Sequence, residues 1–158
     1  AFYFDQPEYA DRLIVEYNLD INTILEMAAQ YNVDAIDDII NRGATDFNTA
    51  LWATIVHNQY PIPFINRFLN LGATNLQEAL EVIIEVNRPE LIQHIINHNT
   101  QNTIDYNSAL LTAVLQEEPN EGIIDHLVGL GATNLVEARD LANSLGHSHI
   151  VEYFDTII

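Results

Sequence analysis

With 158 residues, 48% of them hydrophobic and 18% charged, the chain is long enough for one compact domain or a short array and too apolar to stay disordered. Twenty-three Asp and Glu against five basic residues give a formal net charge of −18, which excludes direct attraction to nucleic acid and favours a basic partner. No run approaches the roughly 20 apolar residues of a membrane-spanning helix, so no membrane partner is expected, and the absence of cysteine excludes disulfides and thiolate sites.

All five basic residues are arginines: Arg12, Arg42, Arg67, Arg88 and Arg139. A composition rich in Asn and Ile, as AT-rich coding produces, ordinarily brings Lys with it, so the missing lysines are more surprising than acidity alone would make them. They suit a protein working beside ubiquitin ligases, to which it would offer no acceptor amine. The start, Ala1 to Asp5, lacks the basic flank of a secretory signal, and the missing initiator Met points to an excised or processed piece.

In chain order, Pro7 to Asn18 comes first. With Pro7 in its first turn and Leu13, Ile14 and Tyr17 at helical spacing, it reads as an orphan second helix that caps the N-terminal end. The chain then repeats. Gly-Ala-Thr occurs at Gly43-Ala44-Thr45, Gly72-Ala73-Thr74 and Gly131-Ala132-Thr133, the last two continuing Asn75-Leu76 and Asn134-Leu135, at gaps of 29 and 59 residues, one unit and then two.

Each unit reads as two helices. The first starts at a short polar or acidic residue, Thr23, Thr49, Glu78, Ser108 and Glu137. Nine residues on it ends, at Asn32, Asn58, Asn87, Glu117 and Gly146, mostly types that enter the left-handed conformation cheaply. The second helix closes at Gly43, Gly72, Asn99 and Gly131, Asn99 being the replacement for Gly that a left-handed cap favours. Apolar sets fill the second helices: Ile36, Ile39, Ile40; Phe64, Ile65, Phe68, Leu69; Leu91, Ile92, Ile95, Ile96; Ile123, Ile124, Leu127, Val128; Ile150, Val151, Phe154. No single hairpin could bury such faces alone. The expected fold is an all-α helical repeat solenoid of about five stacked helix-turn-helix units, 23–48, 49–77, 78–107, 108–136 and 137–158, behind a capping half repeat at 7–22.

Gly146-His147-Ser148-His149-Ile150-Val151-Glu152-Tyr153-Phe154 resembles the opening of the second ankyrin helix, Gly-His-x-x-Ile-Val-x-x-Leu. Glu137-Ala138-Arg139-Asp140-Leu141-Ala142 fills the place of Thr-Pro-Leu-His-x-Ala, and Gly-Ala-Thr resembles the family's Gly-Ala-Asp. The resemblance to the ankyrin repeat family covers residues 7 to 158 and is tightest in the last unit. It implies a single ankyrin-repeat-like domain over 1–158. The spacing departs from the family. Helix starts lie 26, 29, 30 and 29 residues apart, against roughly 33 in ankyrin. The shortfall lies after each Gly-Ala-Thr, where the family carries a β-hairpin finger, so shortened inter-repeat loops and a binding surface of helix faces are expected. Such finger-poor, Asn-rich units resemble those of giant viruses and amoeba-associated intracellular bacteria, which implies a cytoplasmic protein or one delivered into a host cytoplasm.

The resemblance further implies a concave side lined by first helices. Carried over, its solvent-facing positions are Gln30 and Tyr31, Val56 and His57, Glu85 and Val86, Leu115 and Gln116, Ser144 and Leu145, extended by Glu26, Trp52, Glu81, Leu111 and Asp140. Of these, with Tyr60 beside them, Gln30, Tyr31, Trp52, His57, Tyr60, Glu81, Glu85, Leu115 and Gln116 are expected to bind the partner. Trp and Tyr bury large area at little conformational cost. Trp52 is equally suited to filling core between units. No acidic residue occurs from Phe47 to Gln77, which suits either a binding centre with an acidic rim or a well-buried central unit. Tyr60-Pro61-Ile62-Pro63 reads as a stiffened inter-helix loop that presents Tyr60.

Little points to chemistry. His94 with His98, and His147 with His149, are pairs where zinc needs three or four convergent ligands, so neither a metal nor a cofactor is expected. The clusters Asp34, Asp37, Asp38 and Glu117, Glu118, Glu121 lack the calcium-loop pattern and read as solvated helix starts. With no phosphate loop, nucleophile elbow or Cys–His pair, the chain is not expected to be an enzyme. The expected function is protein–protein interaction, as effector or adaptor, with a partner protein of basic surface. The alternatives are an acidic decoy that mimics nucleic acid and inhibits a DNA- or RNA-binding protein, and the interaction segment of a larger multidomain protein. The apolar end, Phe154 to Ile158, would be covered by further sequence or by a second copy in an end-to-end dimer.

Overall fold

Apolar residues at helical spacing must be buried without stranding backbone amides, and a helix satisfies those amides within one segment. The computed structural model describes residues 6–158, so the reading of Ala1 to Asp5 lies outside it. Every regular element among the described residues is helical: α1 (Gln6–Tyr17), α2 (Ile21–Tyr31), α3 (Ile36–Asn41), α4 (Phe47–His57), α5 (Ile62–Leu71), α6 (Leu76–Glu85), α7 (Ile92–Ile96), α8 (Tyr106–Val114), α9 (Glu121–Gly129), α10 (Leu135–Leu145) and α11 (Ser148–Ile157). Short 3-10 turns at Val33–Ala35 and Pro89–Leu91 lead into α3 and α7.

The chain divides into two compact units, Ala1–Asn75 and Leu76–Ile158. In the first, α2 pairs with α3 and α4 with α5, α2 lies along α4, and α1 packs on α2 and α3. In the second, α6 pairs with α7, α8 with α9 and α10 with α11, while α8 touches both α6 and α10. All-helical hairpins packed in neighbouring pairs are what a helical repeat requires.

The first helices begin two residues ahead of the expected starts, at Ile21, Phe47, Leu76, Tyr106 and Leu135. In α2, α4 and α8 an aspartate further upstream is the reason. Asp20 Oδ1 accepts from the N–H groups of Asn22 and Thr23 at 3.0 and 3.1 Å, and Asp105 Oδ1 likewise from Asn107 and Ser108 at 2.9 and 3.1 Å. Asp46 Oδ1 accepts from Thr49 N–H at 3.1 Å. The threonines expected as caps are therefore capped themselves, and their hydroxyls close the clasp: Thr49 Oγ1 donates to Asp46 Oδ2 at 2.7 Å, and Thr23 Oγ1 donates to Asp20. These bonds from Thr23, its hydroxyl first, hold the Asp20 carboxyl below the usual carboxylate range.

At the other ends the left-handed residues are Gly43, Gly72, Asn87, Asn102, Gly131 and Gly146, with Asn18 ahead of them. Gly72 shows the pattern: its N–H donates to Leu69 O at 3.2 Å, and Ala73 N–H reaches back to Phe68 O at 3.0 Å. Two expectations are corrected here. Asn99 is not the left-handed residue of its unit; Asn102 is, and Asn99 Oδ1 instead accepts from Thr103 N–H at 2.8 Å. Asn32 and Asn58, at φ −145° and −80°, end their helices without a left-handed turn.

Burial follows the second-helix sets. Ile36, Ile39, Ile65, Phe68, Leu69, Leu91, Ile92, Ile95, Ile123, Ile124, Leu127, Ile150 and Phe154 are buried, while Ile40, Phe64, Ile96, Val128 and Val151 are half-buried at the flank of each stripe. In α1, the helix expected over Pro7 to Asn18, burial is less complete. Ile14 and Tyr17 are exposed and the buried residue is Ala10, because α1 closes one side of its unit and has a neighbour on one face. Pro61, Ile62 and Pro63 also differ from the loop expected of them, Pro61 being the N-cap of α5 and the other two its first turn, where proline's fixed φ fits and its missing N–H has no cost.

Inside each unit, side-chain amides form a ladder by accepting from turn N–H groups about one repeat later. Asn22 Oδ1 accepts from the N–H groups of Thr45 and Asp46 at 2.8 and 3.0 Å, and Asn48 Oδ1 from Thr74 and Asn75 at 2.8 and 3.3 Å. In the second unit Gln77 Oε1 accepts from Asp105 N–H at 2.8 Å, and Asn107 Oδ1 from Thr133 and Asn134 at 2.7 and 3.3 Å. Each acceptor sits in the first turn of a first helix and each donor lies in the turn that follows a second helix. The corresponding residue of α10 is Val136, which is exposed.

Candidate interaction surface

Because α2 lies along α4, residues at equivalent places in the two helices meet. Tyr31 ends α2 and His57 ends α4, and their rings lie 6.5 Å apart at 30°. Trp52, five residues earlier on α4, stands edge-on to His57 at 5.9 Å and 78°. Tyr31 is 77% exposed and Trp52 38%, so the core-filling alternative for Trp52 gives way to a ring that is packed on one side and open on the other. The three rings form one continuous surface in the first unit.

Other expected residues are placed differently. Gln30 is half-buried, its amide donating to Glu26 Oε1 at 3.2 Å. Tyr60 is 80% exposed, set by its own N–H donating to Asn58 Oδ1 at 2.8 Å. The acid-free stretch divides in two: Leu51, Ile55, Ile65 and Phe68 are core, with Phe47 stacked on Phe68 at 6.3 Å, while Trp52, Tyr60, Ile62 and Leu71 remain exposed.

In the second unit Glu81 is half-buried and engaged. It accepts from Gln77 Nε2 at 2.6 Å and from Ser108 Oγ at 3.4 Å, thereby orienting the ladder amide of Gln77. Glu85 is exposed at the last residue of α6. Leu115 and Gln116 lie beyond the helix expected to carry them, because α8 stops at Val114. The sequence supplies the cause: Glu118 precedes Pro119, which disfavours the helical backbone, and adjacent carboxylates oppose the negative end of a helix. Leu115 stays 56% exposed, and Gln116 Nε2 donates back to Thr112 O at 2.8 Å.

Glu117 and Glu118 are consequently not a helix start, whereas Glu121 is in the first turn of α9 and Asp37 and Asp38 in that of α3. Sequence reasoning missed their place at the end of α8, although Pro119 signalled it. His98 Nδ1 donates to His94 O at 2.9 Å, and among the described residues no three His, Asp or Glu side chains converge as a metal site would require. No described helix is long and apolar enough to cross a membrane.

The first unit thus offers an aromatic surface, and the second offers carboxylates set around turns. Compared with known proteins, the chain matches no protein-family model, no curated protein and no solved structure.

Proposed function

We propose that the chain is an ankyrin-like helical repeat protein that acts by binding a partner protein of basic and apolar surface, as an adaptor or effector in a cytoplasm, with no catalytic step of its own. The observation that carries this reading is the exposed ring cluster of Tyr31, His57 and Trp52. Large rings held by their neighbours and open to solvent lose little entropy on contact, which is why such residues dominate binding hot spots. The charge of −18 supplies long-range attraction to a basic partner and raises the rate of encounter.

Affinity capture from lysate with the wild-type chain, against a Tyr31→Ala/Trp52→Ala double variant of equal helicity, tests the proposal. Loss of the captured protein in the variant supports it. Capture unchanged by the double substitution removes the ring cluster from the account. A second reading, an acidic mimic of nucleic acid, is favoured by the net charge alone. It requires capture that ignores both substitutions and collapses at roughly 0.5 M salt, where exposed charges are screened.

A further inference from the structure

In the second unit a groove of about 410 Å³ opens where the turn after α6 meets the turn after α8. That volume falls within the roughly 300–1,000 Å³ of ligand-binding clefts. Its floor is apolar, formed by the buried residues Ile84, Ala113 and Ile123. Its rim carries the exposed carboxylates of Glu85, Glu117 and Glu118. One wall is fixed: Asn120 caps α9 by accepting from Gly122 N–H at 2.9 Å, and its amide donates to Asn87 Oδ1 at 2.7 Å.

The charges stand where the fold alone disfavours them. Glu85 ends α6, and Glu117 and Glu118 follow the end of α8, so three carboxylates gather at the negative ends of two helices. Among the described residues no arginine compensates them. Each of the five arginines pairs elsewhere: Arg12 with Glu16, Arg42 with Asp11 and Asp38, Arg67 with Asp37, Arg88 with Glu90, and Arg139 with Asp140 and Asp155. Among the described residues no hydrogen bond or ion pair engages the carboxylates of Glu85, Glu117 or Glu118.

We propose that this groove receives an arginine side chain of the partner protein, an inference that rests on the interaction reading and adds the partner's chemistry to it. The side chain enters the groove and its guanidinium meets the carboxylates of the rim. A planar, weakly hydrated guanidinium with five donors in a fork suits several carboxylates at once, whereas an ammonium is a compact and strongly hydrated point charge.

The test uses amide chemical shifts of the full chain titrated with N-acetyl-arginine amide at roughly physiological ionic strength, about 0.15 M. Saturable shifts confined to residues 84–87 and 113–123 are expected, with N-acetyl-citrulline amide, the neutral isostere, silent and N-acetyl-lysine amide weaker. Glu117→Gln/Glu118→Gln is expected to weaken the arginine probe about tenfold, as loss of charge-assisted hydrogen bonds does. Asp34→Asn/Glu152→Gln, an equal loss of exposed charge elsewhere, is expected to change it by less than about twofold. Shifts scattered over the acidic surface, equal shifts from citrulline or lysine, or an equal loss in the control variant would overturn the proposal. Should the groove variant lose helicity, the contrast between arginine and citrulline on the wild-type chain decides the matter. Since the probe is not the partner, a failed groove leaves capture through Trp52 standing, and a failed capture leaves the groove result intact.

Discussion

At Gly72 the backbone alone dictates the residue. Its φ is 111°, and a Cβ built there meets no atom within 4 Å, so a side chain has room but an unfavourable conformation. Gly72→Ala is therefore expected to cost about 1–2 kcal/mol, the penalty of a left-handed L-residue, read as a lower urea midpoint at unchanged slope. Tyr153 makes a second residue-scale case. Burial, and then the bond its hydroxyl donates to Asp125 at 3.0 Å, push its phenol up to about 12 from an ordinary 10.0. Because the folded value is the higher one, this contribution to stability is complete below pH 10 and is lost as pH rises through about 12. A spectrophotometric titration should show a late phenolate phase that disappears in Tyr153→Phe and moves earlier, without vanishing, in Asp125→Asn. Residue types were legible at this scale where local physics decides them, as at Gly43, Gly72, Gly131 and Gly146. They were not at Asn99, because a left-handed turn three residues later, at Asn102, serves the same purpose and two Asn in one loop look alike from sequence.

The elements were largely visible in advance. Stripes such as Ile36 with Ile39, or Ile123, Ile124 and Leu127, pointed to second helices that are indeed buried. What escaped was the tie between hairpins. Asn22, Asn48, Gln77 and Asn107 recur at the unit spacing, but helix starts at Thr23, Thr49, Glu78 and Ser108 leave each of them just outside its helix. With the helices starting at Ile21, Phe47, Leu76 and Tyr106, these amides fall in the first turn, where each accepts from a turn about one repeat later. Asn48→Leu should cost about 1–2 kcal/mol, because the N–H groups of Thr74 and Asn75 lose their acceptor. Asn48→Asp should keep most of that stability, since a carboxylate oxygen accepts from both. Val136→Asn, with no described turn to hold, should stay within about 0.5 kcal/mol of wild type. Urea unfolding of the three variants checks all of these, and equal losses at Asn48→Leu and Asn48→Asp would contradict the ladder.

For the whole molecule, charge and rings act together. Twenty-three acids and five arginines leave a self-repelling surface. Raising salt from about 0.02 M to about 0.2 M should lift the thermal midpoint by several degrees, since screening relieves repulsion at a Debye length that shrinks to about that of neighbouring charges. Calorimetry or circular dichroism would record it. The candidate surface was half legible: exposed places for Tyr31, Trp52 and His57 were implied by the ankyrin resemblance, while Glu81 went to the ladder and Leu115 and Gln116 left the helix when Pro119 ended it early. Trp52 also makes the central claim measurable, being the only tryptophan and partly open to solvent. If the captured partner seats on the ring cluster, adding it should shift Trp52 emission to the blue and protect the ring from acrylamide quenching. Binding that leaves both the emission and the quenching unchanged would contradict the account.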